Sequence, residues 1–253
     1  MRIQNIQNKN YSPNFGNWNR EVFKTSTDSL VQELKHRNDT QFYRDGGLWY
    51  NIVKMLTEKY KNVSKVNTYC YGCSNGSEPY TFLMELMSIC KKDVVQKFLP
   101  IIAKDYDEIA IEVAKKNVYA IGTREADSIL TYTGRSLDYF LNNTQKYNQF
   151  DHHYSAKPIL TDNVQFSVAD VLEDYKNIKP DNTVVFARNF WPYLSDNNQK
   201  ELANNLYQQL GKNSTLIIGN FDLMNLKSGT SIPILLWNAG FNPTDSNTIF
   251  VKP

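Results

Sequence analysis

The sequence predicts an α/β fold, a mostly parallel β-sheet flanked by helices, with a small β subdomain inserted into it. Three observations carry that expectation. Short apolar runs at residues 67–71, 98–103, 184–187 and 215–218 alternate with longer segments whose apolar residues recur at helical spacing. The first run leads through a glycine-bearing loop directly into one of those helical segments. The alternation then breaks between about Arg124 and Phe166, where short strand-like stretches replace it.

Taken in order, residues 1–37 are polar and read as an N-terminal arm with one short helix, capped near Ser26–Asp28 and running to about Arg37. Residues 38–253 form the main domain. Asn38 or Asp39 is placed to cap a helix carrying Phe42, Leu48, Ile52, Val53 and Leu56. Asn67–Tyr71 is the first strand, and Tyr80–Cys90 is a helix with Pro79 near its first turn. Phe98–Ala103 is the next strand, closed by Asp105-Tyr106-Asp107 and followed by a helix to about Asn117. Within the break, Ser136–Asn142 reads as helical. Tyr154–Leu160 and Val164–Val168 read as two strands about Thr161-Asp162-Asn163, so the β insertion is expected at about 144–166, offering an edge to a protein segment by strand addition. Val184–Ala187, the helix Asp196–Leu210 and the strand Thr215–Ile218 resume the alternation, and Ile232–Ala239, stopped by Gly240, leads to a closing strand at Thr248–Val251.

Composition narrows the functional classes. With 253 residues, 41% hydrophobic and 21% charged, the chain is an ordinary globular one, large enough to bury its core without disulfide staples. Three cysteines and a polar start point to the reducing cytoplasm. No apolar run approaches the ~18 residues of a membrane span, so no membrane insertion is expected. A net charge of +2 makes nucleic acid an unlikely partner. Cys70 and Cys73 form a C-x-x-C with no second pair, and His152 and His153 are adjacent in sequence, which on a strand points them apart. Buried packing is the expected role of the cysteines, and no metal is expected.

The chemistry concentrates at strand ends. Gly72 and Gly76 are spaced G-x-x-x-G, matching neither the dinucleotide fingerprint nor a P-loop. Alone, such a loop can be a plain turn. Asp105 stands at the end of the second strand, where an acid accepts hydrogen bonds from a ribose diol, and it could equally cap the following helix. Without a phosphate-binding signature, S-adenosylmethionine fits better than a dinucleotide. Arg188-Asn189-Phe190-Trp191-Pro192-Tyr193 ends a later strand, where ligand-facing side chains are expected.

These residues carry a resemblance. Asn38-Asp39-Thr40-Gln41-Phe42-Tyr43-Arg44-Asp45 resembles N-x-T-x-F-F-R-[DE], and Ser74-Asn75-Gly76-Ser77-Glu78-Pro79-Tyr80-Thr81 resembles S-x-G-x-E-P-Y-[ST]. Ala103-Lys104-Asp105-Tyr106-Asp107 is similar to A-x-D-x-D. Val164-Gln165-Phe166 with Asp170-Val171-Leu172 is similar to V-x-F-x-x-x-N-L-L, and Arg188-Asn189 with Tyr193 to C-R-N-x-x-x-Y-F. All five motifs, in this order, are those of the CheR-like chemotaxis-receptor methyltransferases. The resemblance implies a class I S-adenosylmethionine-dependent methyltransferase fold, Rossmann-like, with S-adenosylhomocysteine as the product. It implies a protein substrate, with transfer to glutamate side chains of a chemoreceptor-like cytoplasmic region. Arg44 and Tyr193 become the catalytic candidates, Arg44 steering the acceptor and Tyr193 facing the sulfonium. Asp39, Thr40, Gly72, Ser74, Gly76, Glu78, Asp105, Tyr106, Asp170, Val171, Arg188 and Asn189 become cofactor-binding candidates, Glu78 and Arg188 at the amino-acid end and Asp105 at the ribose. Departures are Asp170 for the usual Asn, Ala187 for the usual Cys, and about 37 residues where the family carries a helical N-terminal domain.

Two rivals remain at this point. Asn189-Phe190-Trp191-Pro192-Tyr193 is one residue longer than the N-P-P-Y loop of amino-methyltransferases, which would mean a different acceptor, a small molecule or a nucleic acid. A catalytically idle S-adenosylmethionine-binding interaction module is the other.

Overall fold

A computed structural model of the chain describes residues 40–146, 152–223 and 230–253. Its main sheet is built from β1 (Asn67–Tyr71), β2 (Ile101–Asp105), β6 (Val164–Val168), β7 (Thr183–Ala187), β8 (Thr215–Ile217), β9 (Asn242–Pro243) and β10 (Ile249–Val251). The spatial order is β6-β2-β1-β7-β8-β10-β9. The first five in that order run parallel, and β10 pairs antiparallel with both of its neighbours. Parallel strands place their C-terminal ends on one edge, and strand order reverses between β1 and β7, which opens the crevice where ligands bind in such sheets. This is the doubly wound α/β class that the alternation predicts.

Apolar cores lie on both faces of the sheet. On one, α1 (Leu48–Lys59) and α2 (Ser77–Ile89) bury Trp49, Val53, Leu56, Phe82 and Leu83 against Phe98, Phe186 and Ile217. On the other, α8 (Asp196–Gln209) and α9 (Ile232–Ala239) bury Leu202, Leu206 and Leu236 against Val185, Leu216 and Phe250. Sheet strands buried on both faces read as continuous apolar runs, which is why β7 and β8 were visible as such. Short α3 (Lys92–Lys97) leads into β2, and α4 (Glu108–Lys116) follows it, its first turn capped by Asp107, whose side chain accepts from Ile109 and Ala110 N–H.

Three expectations are corrected here. The helix expected from Asn38 starts only at Leu48, because residues 42–47 form turns in which Tyr43, Asp45 and Gly46 take positive φ. Ser136–Asn142 is not helical beyond one 3-10 turn at Leu137–Tyr139, after which the chain enters a strand. The β insertion is larger and earlier than 144–166. It is a three-stranded antiparallel sheet of β3 (Val118–Ile121), β4 (Phe140–Lys146) and β5 (His152–Ala156), in the order β3-β5-β4, with α5 (Thr123–Thr133) between β3 and β4 in the chain. Val164–Val168, read as its second strand, is instead the outer strand β6 of the main sheet, and residues 158–161 between them form the helical turn α6 (Pro158–Thr161). An outer strand with one face open alternates in burial like any exposed strand, so its pattern does not say which sheet it joins. The arm at residues 1–37 lies outside the described residues. No helix among the described residues is long and apolar enough to cross a membrane.

Tyr60, just past α1, ties that helix to the sheet. Its buried hydroxyl lies 3.1 Å from Thr183 O, 2.8 Å from Asn213 O and 3.1 Å from Thr215 Oγ1. Tyr60→Phe keeps the ring and strands those acceptors, so it should cost about 1–2 kcal/mol of stability. Urea unfolding measures this, and an unchanged midpoint would show that the hydroxyl holds nothing.

Candidate active site

The site forms where the loops after β1, β2, β6, β7 and β8 meet. After β1 the chain turns through Gly72 and Ser74 at φ 70° and 48° and Gly76 at φ 90°, then enters α2. A Cβ at Gly76 would lie 2.7 Å from the Phe166 ring and 3.2 Å from Tyr119 Oη, so only glycine lets this loop pass under them. Asp105 joins three loops at once. Its Oδ2 accepts from Ser74 N–H at 2.8 Å, its Oδ1 from Asp107 N–H at 2.9 Å, and its carbonyl from Ala169 N–H at 2.9 Å. Burial pushes its carboxyl up to about 6 against the opposing pull of the backbone N–H groups, with the neighbouring Asp107 charge adding to the rise.

A buried guanidinium is the centre of the opposite wall. Arg188, at the end of β7, is 2% exposed. It donates from Nη1 to Glu78 Oε2 at 2.9 Å and from Nη2 to Asp45 Oδ2 at 2.7 Å, with Cζ 4.5 Å above the Trp49 ring centroid. Burial raises the Glu78 carboxyl and the Arg188 charge pulls it back down. The cysteines of the C-x-x-C are buried free thiols, both held well above the ordinary thiol range by burial, with Cys70 Sγ 3.5 Å from Glu78 Oε1.

Arg44 is presented by strained backbone. Tyr43 and Asp45 on either side have φ of 55° and 65°, which non-glycine residues adopt at a cost that surrounding structure must offset. That support comes from Tyr43 N–H donating to Thr81 Oγ1 at 3.1 Å, Tyr43 stacked on Tyr132 at 5.1 Å, and Phe42 N–H donating to Glu125 Oε1 at 3.0 Å. The Arg44 guanidinium carbon lies 5.9 Å from the Phe221 ring centroid, and the Tyr193 ring, on a side chain 60% exposed, lies 5.7 Å from the same ring. Beside Phe221, Asp222 is fully buried and accepts from Gly219, Asn189 and Trp191 N–H at 2.7, 2.6 and 3.2 Å. Burial raises its carboxyl to about 7, against those three N–H bonds and the Arg188 charge.

The donor and acceptor set suits S-adenosylmethionine. Ser74 Oγ is buried with no partner among the described residues, inside the loop that would approach the ligand. A carboxylate accepts about four hydrogen bonds. Asp105 therefore keeps capacity for a ribose diol beyond the bonds it already makes.

Of the predicted residues, Gly72, Ser74, Gly76, Tyr106, Arg188 and Asn189 lie on loops at the C-terminal edge. Asp105 ends β2, Glu78 lies in the first turn of α2 and Tyr193 lies in a 3-10 turn at the same edge, as do Asp170 and Val171, where Asp170 caps α7 (Val171–Asp174) by accepting from Leu172 N–H. Arg44 joins them through Phe221. Thr40 is half-buried at the start of the described chain, and Asp39 lies outside it. Asp45, Trp49, Phe221 and Asp222 were missed. The acid after Arg44 in the first motif was the one available signal, for Asp45.

A family model described as "CheR methyltransferase, SAM binding domain" matches residues 38–234. The chain is 28% identical over 189 residues to a "Chemotaxis protein methyltransferase" of Borreliella burgdorferi, an alignment covering 72% of this chain and 63% of that protein. Among solved structures, a TehB-like SAM-dependent methyltransferase from Corynebacterium glutamicum superposes with a TM-score of 0.45 at 12% identity, over 90% of this chain and 98% of that one. A precorrin-6y C5,15-methyltransferase from Geobacter metallireducens does so with a TM-score of 0.42 at 11% identity, over 76% of this chain and 72% of that one. Similarity at that level adds nothing to what the strand order already establishes. The sequence match, running across nearly the whole described domain, decides the family: this chain belongs to the CheR methyltransferases, enzymes that use S-adenosylmethionine.

Proposed function

We propose that this chain methylates a carboxylate, specifically glutamate side chains in the cytoplasmic region of a chemoreceptor-like protein, and that it acts in the cytoplasm. The observation that carries the reading is Arg44, held between two left-handed residues at the mouth of the site and backed by Phe221 and the exposed Tyr193. A guanidinium is the side chain whose fork matches a carboxylate. The name of the Borreliella burgdorferi relative supports a chemotaxis role.

S-adenosylmethionine supplies an electrophilic methyl group when bound. A glutamate, with an ordinary pKa near 4.3, is already the anionic nucleophile at neutral pH. No general base is required, and the residues have only to bind, align and exclude water. In this reading Asp105 takes the ribose diol, and Glu78, oriented by Arg188, takes the amino group. Arg188, being buried, acts through Glu78 rather than on the ligand. Thr40, Gly72, Ser74, Gly76, Tyr106, Asp170, Val171 and Asn189 complete the cofactor wall, and Asp39 extends it in sequence. Arg44 aligns the acceptor, and the Tyr193 ring offers a π face to the positive charge at sulfur. The small sheet's outer strands β3 and β4 are where a protein acceptor could add a strand.

Ribose recognition can be tested by pH. The Asp105 carboxyl is raised to about 6, so it stays ionised above that pH and takes up a proton as pH falls through it. Affinity for S-adenosylhomocysteine should be level above about pH 7 and decline below about pH 6. Asp105→Asn should remove that dependence, and Asp105→Ala should cost about 1–3 kcal/mol of binding. Calorimetry that finds wild-type affinity constant down to about pH 5 rejects the assignment.

Arg44→Ala should lower transfer of labelled methyl to receptor glutamates, scored as base-labile ester, by about two orders of magnitude. Tyr193→Phe, which keeps the ring, should lose less than Tyr193→Ala, and cofactor affinity should fall less than turnover in both. Equal turnover in wild type and folded Arg44→Ala would sink the carboxylate reading.

A further inference from the structure

We propose that Asp222 is a positioning residue for methyl transfer, whose carboxylate locks the loop after β7 to the loop after β8 and thereby seats Phe221 between Arg44 and Tyr193. The proposal rests on the reading that Arg44 and Tyr193 face the acceptor. Its own evidence is the geometry of two loops that share no strand pairing at this level.

Asp222 is fully buried, yet none of its hydrogen bonds in this clamp goes to a side chain. It gathers one backbone N–H from its own loop, Gly219, and two from the loop after β7, Asn189 and Trp191. Three converging N–H groups require an acceptor-only side chain with two oxygens, on a stem short enough to stay in the turn. Aspartate meets this, whereas asparagine would aim an NH2 donor at N–H donors.

The consequences of the clamp are visible on both sides of it. Asn189 is held at φ 63°, a left-handed turn that sends Arg188 inward to Glu78 and Asp45 while the following residues run out to the exposed Tyr193. The loops are drawn so close that a Cβ on Gly219 would lie 2.0 Å from Asn189 Oδ1, so a residue with no side chain is needed there. Phe221 N–H faces that same Asn189 oxygen at 3.4 Å, and Asn220 N–H faces Asp45 Oδ2 at 3.4 Å. The ring of Phe221 is therefore fixed from both flanks, and both catalytic candidates contact it.

The test uses the full chain and two readouts. In Asp222→Asn, amide hydrogen exchange should quicken at residues 188–194 and 217–222 while the loop at 72–78 keeps its protection. Carboxyl methyl transfer should fall by about 10- to 100-fold in kcat, and affinity for S-adenosylhomocysteine should fall by much less, since Asp105, Ser74 and Glu78 lie outside the clamped loops and only Asn189 and Arg188 lie on one of them. Phe221→Ala should reproduce much of that kcat loss without the exchange change, and Phe221→Tyr should restore turnover. Should Asp222→Asn not fold, the Phe221 pair still decides whether the seated ring matters. Unchanged exchange in folded Asp222→Asn, or wild-type kcat in both Asp222→Asn and Phe221→Ala, overturns the proposal. If the wild type methylates no carboxylate, the acceptor reading fails, while the exchange arm still judges the clamp.

Discussion

Everything at the mouth of this site depends on one buried positive charge. Arg188 sits almost wholly out of water between Glu78 and Asp45, against the face of Trp49. A lone guanidinium there would be prohibitively costly, and burial would push Glu78 further toward protonation without it. The three groups are tolerable only together. Because Glu78 comes from α2, Asp45 from the turns before α1 and Arg188 from the end of β7, electrostatic necessity brings three distant pieces of chain to one point. Planar stacking on an indole and a bidentate reach to two acids are properties of arginine that lysine lacks.

That arrangement divides labour between depth and surface. The groups proposed to hold the cofactor are buried and already engaged with the protein, Asp105 with two backbone N–H groups and Glu78 with Arg188. The groups proposed to face the acceptor, Arg44 and Tyr193, are partly or largely open to solvent. Rigidity is thus concentrated where one small molecule must be held in one pose. The open side is left to a ligand that arrives with its own shape, constrained in advance by the backbone strain around Arg44 and by the seated Phe221 ring.

The architecture was legible in the sequence wherever burial on both faces made strands into unbroken apolar runs. Asn67–Tyr71 and the helix from Asp196 were placed almost to the residue. Reading failed at β3, four residues following directly on α4, and at β6, whose single deeply buried residue, Val164, gives no hint of its parallel partner. Motif order singled out the candidates Arg44, Glu78, Asp105 and Arg188, because the chemistry proposed for them is expressed in side-chain identity. Asp222 was invisible for the opposite reason. Its partners are backbone N–H groups, which every residue but proline possesses, so nothing in the neighbouring letters announces the interaction.

The small sheet leaves and rejoins the main fold at nearly one point. Ala156 N–H, at its end, donates to the carbonyl of Asn117, just before its start, at 2.9 Å. An excursion whose two ends are stitched together leaves the spacing of α4 and β6 indifferent to what lies between them. Changes of length or sequence in β4 and β5, away from Tyr119, Glu125 and Tyr132, would then leave the crevice where it is. The excursion touches the candidate site at a few points only, where Tyr119 of β3 donates to the Asn75 carbonyl in the glycine loop and where Glu125 and Tyr132 hold Phe42 and Tyr43, so the rest of it can vary apart from the crevice.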